Sequence, residues 1–161
     1  MNELNQSLKH GAFLTSEYNG KVNAMTIGWG MEGRSWEKPV FVAMVRPSRY
    51  TYEILTQSNT FTISIPKAGT MKDELRYFGS ASGRNENKFM KSDLDLINAR
   101  NISGKVVAGC ESYYECCVVY MQQMQEDGFL CGSNLKNRYY PEGDFHWIIF
   151  GEILASYQNE L

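Results

Sequence analysis

The sequence lacks the spacing of a metal centre. Two histidines are too few for zinc without thiol help, and Cys110, Cys116, Cys117 and Cys131 contain no Cys-x-x-Cys pair. Cys116 and Cys117, adjacent on a strand, would point to opposite faces, so free thiols in a reducing compartment are expected and a metal is not. Positive charge is not in excess. The 16 Lys and Arg against 18 Asp and Glu leave a formal net charge of -2, with no basic stripe to release counterions from a nucleic-acid backbone. A run of about eighteen apolar residues, which a membrane helix needs, is missing, and Met1 to His10 are polar rather than leader-like. A cytoplasmic location with no membrane partner is expected. Repeats, linkers and low-complexity tracts are also missing. With 43% hydrophobic and 21% charged residues the chain can bury a core, so residues 1–161 are expected to form one domain.

What is present is mostly β pattern. Residues 11–15 and 22–29 flank Asn19-Gly20, the dipeptide that suits a tight turn needing positive φ, and so predict a hairpin. Residues 39–45 form a β-rich run with its proline at the start. Phe61, Ile63 and Ile65 alternate with polar residues, while 112–124 and 146–155 read as long later strands separated by turns at Asp127-Gly128 and at residues 142–144. Helical spacing is confined to short stretches near 49–58 and 71–78. Many strands with few helices favour a closed or split Greek-key β-barrel over a doubly wound sheet.

Two segments carry chemistry. In Arg46-Pro47-Ser48-Arg49-Tyr50-Thr51 a strand stops at a proline and a helix begins, with Ser48 expected at its N-cap. The first amides of that helix lack intrahelical partners. With the Ser48 and Thr51 hydroxyls and Arg49 they suit an anionic oxygen cluster such as a phosphate monoester, although the same residues also suit an ordinary capped surface helix. The other segment, residues 23–30, sets Trp29 among small residues, and glycines at 28, 30 and 33 permit close approach. A phosphate grip beside a planar apolar slot is what flavin mononucleotide (FMN) needs. Asn23 and Thr26 fall on opposite faces of a regular strand, so contact of both with one ligand requires backbone participation or a bulge.

A third segment, Ser82-Gly83-Arg84-Asn85-x-x-Lys88-Phe89, and a fourth, His146-Trp147-Ile148-Ile149-Phe150-Gly151-Glu152-Ile153, follow in order. Together the four resemble the flavin reductase-like family of FMN-binding split barrels, which includes flavoredoxins, over roughly residues 9–157. The resemblance implies that Asn23, Ala24, Met25 and Thr26 lie along the flavin ring with Trp29 close by. It implies that Ser48, Arg49 and Thr51 hold the phosphate, and that Ser82, Gly83, Arg84 and Lys88 close over it. Asn85 stands where the family commonly has aspartate, which removes a possible ion pair from that loop. His146 lies near the flavin in some members, and it reads equally as a satisfied strand residue. A homodimer is also implied, with Trp29, Trp36, Tyr139, Tyr140 and Trp147 as candidate interface aromatics.

The implied function is an FMN-dependent oxidoreductase that takes reducing equivalents from NADH or NADPH and passes them to flavin or another acceptor. The cofactor carries the hard chemistry, so no catalytic triad is required, and the nicotinamide need only stack transiently on bound flavin. The alternatives are a flavoredoxin-like carrier serving a redox partner protein, and a split-barrel binding module that has lost flavin.

Overall fold

The computed structural model describes residues 3–131 and 134–159. After a short helix α1 (Glu3–Leu8), strands β1 (Ala12–Tyr18) and β2 (Lys21–Ile27) form the expected hairpin, and β3 (Gly30–Ser35) pairs with β4 (Lys38–Val45) in a second. Helix α2 (Tyr50–Ser58), β5 (Thr60–Ile65) and α3 (Lys72–Ser80) come next. A small hairpin of β6 (Leu96–Asn98) and β7 (Lys105–Val107) precedes β8 (Ser112–Gln123), α4 (Leu135–Tyr139) and β9 (Trp147–Gln158). The main sheet is antiparallel with strand order β2-β1-β5-β8-β9-β4-β3. Its two edges are β2 and β3, which are consecutive in the chain, so the sheet curls to bring its ends to the Gly28-Trp29 link as a split β-barrel.

Turn chemistry sets the first hairpin. Asn19 and Gly20 have φ of 49° and 76°, the left-handed pair that matches the twist of two antiparallel strands. Strand β1 is buried on both faces. Leu14 joins Met25, Phe41, Val45, Phe61, Ile63 and Ile149 inside the barrel, whereas Phe13 joins Ala24, Leu75, Phe78, Val106 and Val107 in a second core. Helix α3 covers that second face, and α2 lies over β1 and β2 with Leu55 in the barrel core.

One local expectation is corrected. Arg49 rather than Ser48 is the N-cap of α2, and it makes no side-chain capping bond, because the Ser48 hydroxyl is taken by Asp144. Gly28, Gly30 and Gly33 have Gly-x-Gly-x-x-Gly spacing, but they span the link from β2 into β3 with no helix after them. That context is wrong for a dinucleotide fingerprint. Cys110 and Cys116 are buried, with both thiols pushed above the usual range by desolvation, and Cys131 is exposed. No described helix is long and apolar enough to cross a membrane.

Candidate functional site

Strand β2 runs along the edge of the sheet in regular register with β1, Ala12 opposite Ile27 through Tyr18 opposite Lys21. No bulge is needed for residues of both its faces to border the site, because an edge strand leaves its outer side open. Met25, Thr26 and Trp29 line a cleft of about 230 Å³ with Met44, Arg49 and His146. Asn23 lines a second hollow, of about 170 Å³, with Arg49, Tyr50, Ser82, Gly83 and Lys88. Arg49 borders both, so they form two ends of one site. Ala24 is the exception, since its side chain is packed into the second core and only its backbone remains for a ligand.

The smaller hollow is built from cations held by backbone oxygen. Lys88 is 2% exposed and donates to the carbonyl oxygens of Phe78 and Ala81 at 3.2 and 3.3 Å. Arg49 donates to Phe78 and Gly79 carbonyl oxygens at 3.1 and 2.6 Å. The Phe78 carbonyl therefore serves both. Neither cation has a carboxylate at ion-pair distance among the described residues. Burial, followed by the Arg49 charge, pushes the Lys88 ammonium down to about 8, and burial likewise lowers the Arg49 guanidinium. Unpaired buried charge is costly, and an anion reaching this hollow would relieve that cost.

Close packing shapes the same end. A Cβ on Gly83 would lie 2.8 Å from the Tyr50 ring and would collide with the Asn23 amide, so only glycine lets the loop approach. Asn23 in turn donates to the Thr51 hydroxyl at 2.8 Å, and Thr51 is fully buried. That bond orients Asn23, and Thr51, expected at the phosphate, lines neither hollow. Arg84 pairs with Glu53 on α2, donates to the Ser48 carbonyl at 2.7 Å and lies over the Tyr50 ring. It pins the loop down. Ser82 accepts the Arg84 amide at 3.3 Å, and Asn87, not Asn85, caps the turn that carries Lys88.

At the other end the Trp29 ring, 42% exposed, lies 5.1 Å from Tyr139 and 5.3 Å from His146. Thr26 donates to the Leu75 carbonyl at 2.6 Å. His146 is buried, with Nδ1 2.6 Å from the Tyr140 hydroxyl, and desolvation plus the Arg46 charge hold it down at about 4. The imidazole is therefore neutral near pH 7.

Sequence reasoning gave Asp144 and Tyr50 no role in the site and read Tyr140 as an interface aromatic, whereas it is buried against His146. Asp144 accepts the Ser48 hydroxyl at 2.6 Å and its amide at 3.4 Å, and its carboxylate lies 3.6 Å from Arg46. Only the fold brings residue 144 to residue 48.

A family model described as a flavin reductase like domain matches residues 9–160. An uncharacterized protein of Archaeoglobus fulgidus is 28% identical over 99 residues, 62% of this chain. The match spans 55% of that relative's length. Among solved structures, flavoredoxin from Methanosarcina acetivorans superposes with a TM-score of 0.71 at 22% identity, over 93% of this chain and 68% of its own. An FMN-binding protein from Thermus thermophilus, solved with bound p-hydroxybenzaldehyde, gives 0.72 at 21% identity, over 93% of this chain and 71% of its own. At these identities the structural likeness speaks for the fold.

Proposed function

Because the chain belongs to the flavin reductase-like family, we propose that it binds FMN and acts as an oxidoreductase, taking reducing equivalents from NADH or NADPH and passing them to flavin or another acceptor. The observation that carries this reading is the pair Arg49 and Lys88, turned onto one carbonyl with no carboxylate at ion-pair distance among the described residues. A phosphate monoester supplies the missing charge, and the neighbouring cleft, with Met25, Trp29 and Met44 in its wall, suits a flat ring.

In this reading Lys88, Arg49 and the Ser48 hydroxyl hold the phosphate, with Ser82, Gly83 and Arg84 covering it. Asn23, Met25, Thr26 and Trp29 border the ring, joined by the backbone of Ala24. His146, neutral and fixed through Nδ1, turns its ring toward the same cleft. Once bound, FMN would supply a ring that accepts hydride and passes electrons on singly or in pairs. We take the working unit to be a homodimer, with the exposed aromatic Trp36 a candidate contact.

The test is reconstitution followed by turnover. FMN should bind far more tightly than riboflavin, by roughly the two or three charge-assisted bonds of the phosphate at about 1.5–3 kcal/mol each, and the loaded protein should oxidise NADH or NADPH at steady state. Tight FMN binding without turnover on either nicotinamide would make it an electron carrier instead. Equal affinity for riboflavin would remove the phosphate assignment.

A further inference from the structure

We infer that the open apolar hollow bordered by Trp29 and Tyr140 is a binding site for a small, neutral, flat aromatic ketone or quinone, stacked on Trp29 and hydrogen-bonded by the Tyr140 hydroxyl. The hollow has a volume of about 630 Å³, within the range of about 300–1,000 Å³ usual for small-molecule sites. It is lined by Trp29, Met31, Met44, Met124, Leu135 and Tyr140, among others. Gly28, Trp29 and Met44 also border the cleft described above, so the two spaces adjoin. Lys9 is the only charged side chain among the described residues that line it, which favours an uncharged occupant. Three thioethers beside an indole give a wall that adapts to a flat ring.

A buried phenol in the wall selects a carbonyl. Tyr140 is 3% exposed, and its hydroxyl has one proton and two partners: His146 Nδ1 at 2.6 Å and the Met124 sulfur at 3.5 Å. When Nδ1 carries the imidazole proton, the phenol accepts it and directs its own hydrogen toward Met124, a wall residue and a weak acceptor. A carbonyl oxygen in the hollow is a far better acceptor than a thioether. Such a ligand would therefore fix His146 in the Nδ1–H tautomer, coupling the hollow to the cleft through two buried side chains. The role of the ligand as an electron acceptor rests on the flavin reading, but its binding does not.

Duroquinone, whose ring carbons are all substituted so that it cannot alkylate thiols, is titrated calorimetrically into the flavin-free full chain. Durene, the same skeleton without carbonyls, is titrated in parallel. Saturable binding at one per chain is expected for both. Tyr140→Phe should weaken duroquinone about three- to tenfold, the size of one neutral hydrogen bond, and leave durene unmoved. Leu135→Lys should weaken both. Met31→Lys, on an exposed strand position, serves should the short helix α4 not tolerate the first change. Absence of saturable binding, or binding that neither lysine variant weakens, would overturn the inference. So would a wild-type dimer that binds no duroquinone and that both lysine variants split, since the hollow would then be a subunit interface. FMN is titrated into the same samples: FMN failing while duroquinone binds sinks the flavin reading alone, and the reverse sinks this one alone.

Discussion

Lys88 turns its ammonium back onto the carbonyl oxygen of Phe78, 3.2 Å away, while the ring of the same residue lies 4.9 Å from it. A dipole and a π face hold the charge where a carboxylate would be expected. Burial brings this lysine down to about 8 from an ordinary 10.5. Between those values the unfolded chain binds more protons than the folded one, so stability should rise as pH climbs through that window.

FMN affinity should move the other way. A phosphate dianion, fully charged above its second pKa near about 6, favours the ammonium and takes up a proton with it once pH exceeds about 8. Affinity is therefore expected to be level from about pH 7 to 8 and to fall above that by up to roughly tenfold per unit. Riboflavin should show no such slope, and Lys88→Met should abolish it. Equilibrium titrations across that range decide the matter, and a level wild-type FMN curve up to pH 10 would remove Lys88 from the phosphate.

Gly83→Ala tests the close approach. The added methyl meets the Asn23 amide and the Tyr50 ring 2.8 Å away, so the loop of residues 82–88 must lift off. Because that loop is on the surface, thermal stability should drop by only about 1–2 kcal/mol, while FMN affinity should fall at least tenfold. Calorimetry and FMN titration on one preparation read both. An unchanged FMN affinity would place the cofactor elsewhere.

Asp144→Asn should strengthen FMN binding. The wild-type carboxylate competes for the Ser48 hydroxyl and amide and repels a phosphate arriving beside them. Asn tolerates the left-handed backbone that residue 144 adopts, φ 51°, and Arg46 keeps its bonds to the Tyr139 and Asp144 carbonyls. A gain of roughly two- to fivefold, shrinking with added salt, is the scale of one partly exposed charge. Weaker binding in Asp144→Asn would mean that the carboxylate orients Ser48 for the ligand.

Much of the barrel was legible because its signals are local. Asn19-Gly20, the proline at residue 39 and the alternation through Phe61, Ile63 and Ile65 each act within one hairpin or strand, and the observed elements lie within a few residues of the expected ones. Strand β3 was not legible. Gly30, Glu32, Gly33 and Arg34 carry no alternating pattern, the strand is largely exposed, and the turn after it puts Trp36 and Glu37 at positive φ, where glycine or asparagine is usual. The site shows the same division. Lys88 and Arg49 stood out by motif, but the sharing of Phe78 is a tertiary fact. Asp144 reaches Ser48 across 96 positions. Glu115 was invisible for that reason too: fully buried, it accepts the amides of Arg100 and Asn101 at 2.6 Å and the Tyr157 hydroxyl at 2.8 Å.

Arg49→Ala tests the reading of the site as a whole. The guanidinium borders both hollows, yet its bonds run to the Phe78 and Gly79 carbonyls at the end of α3, on the phosphate side. If it serves the phosphate, its loss should weaken FMN by about 1.5–3 kcal/mol, roughly ten- to a hundredfold, while riboflavin affinity barely moves. With FMN saturating, the rate of flavin reduction should stay near wild type, because an interaction equal in ground and transition states changes binding and leaves the chemical step alone. Arg49→Lys should recover part of the affinity but not all, since an ammonium cannot reproduce the planar fork that now spans two carbonyls. Stopped-flow reduction of the saturated variant, set beside the two ligand titrations, separates the possibilities. A large loss of rate with unchanged FMN affinity would assign Arg49 to the electron donor or the chemistry, and the phosphate would then fall to Lys88 and Arg84.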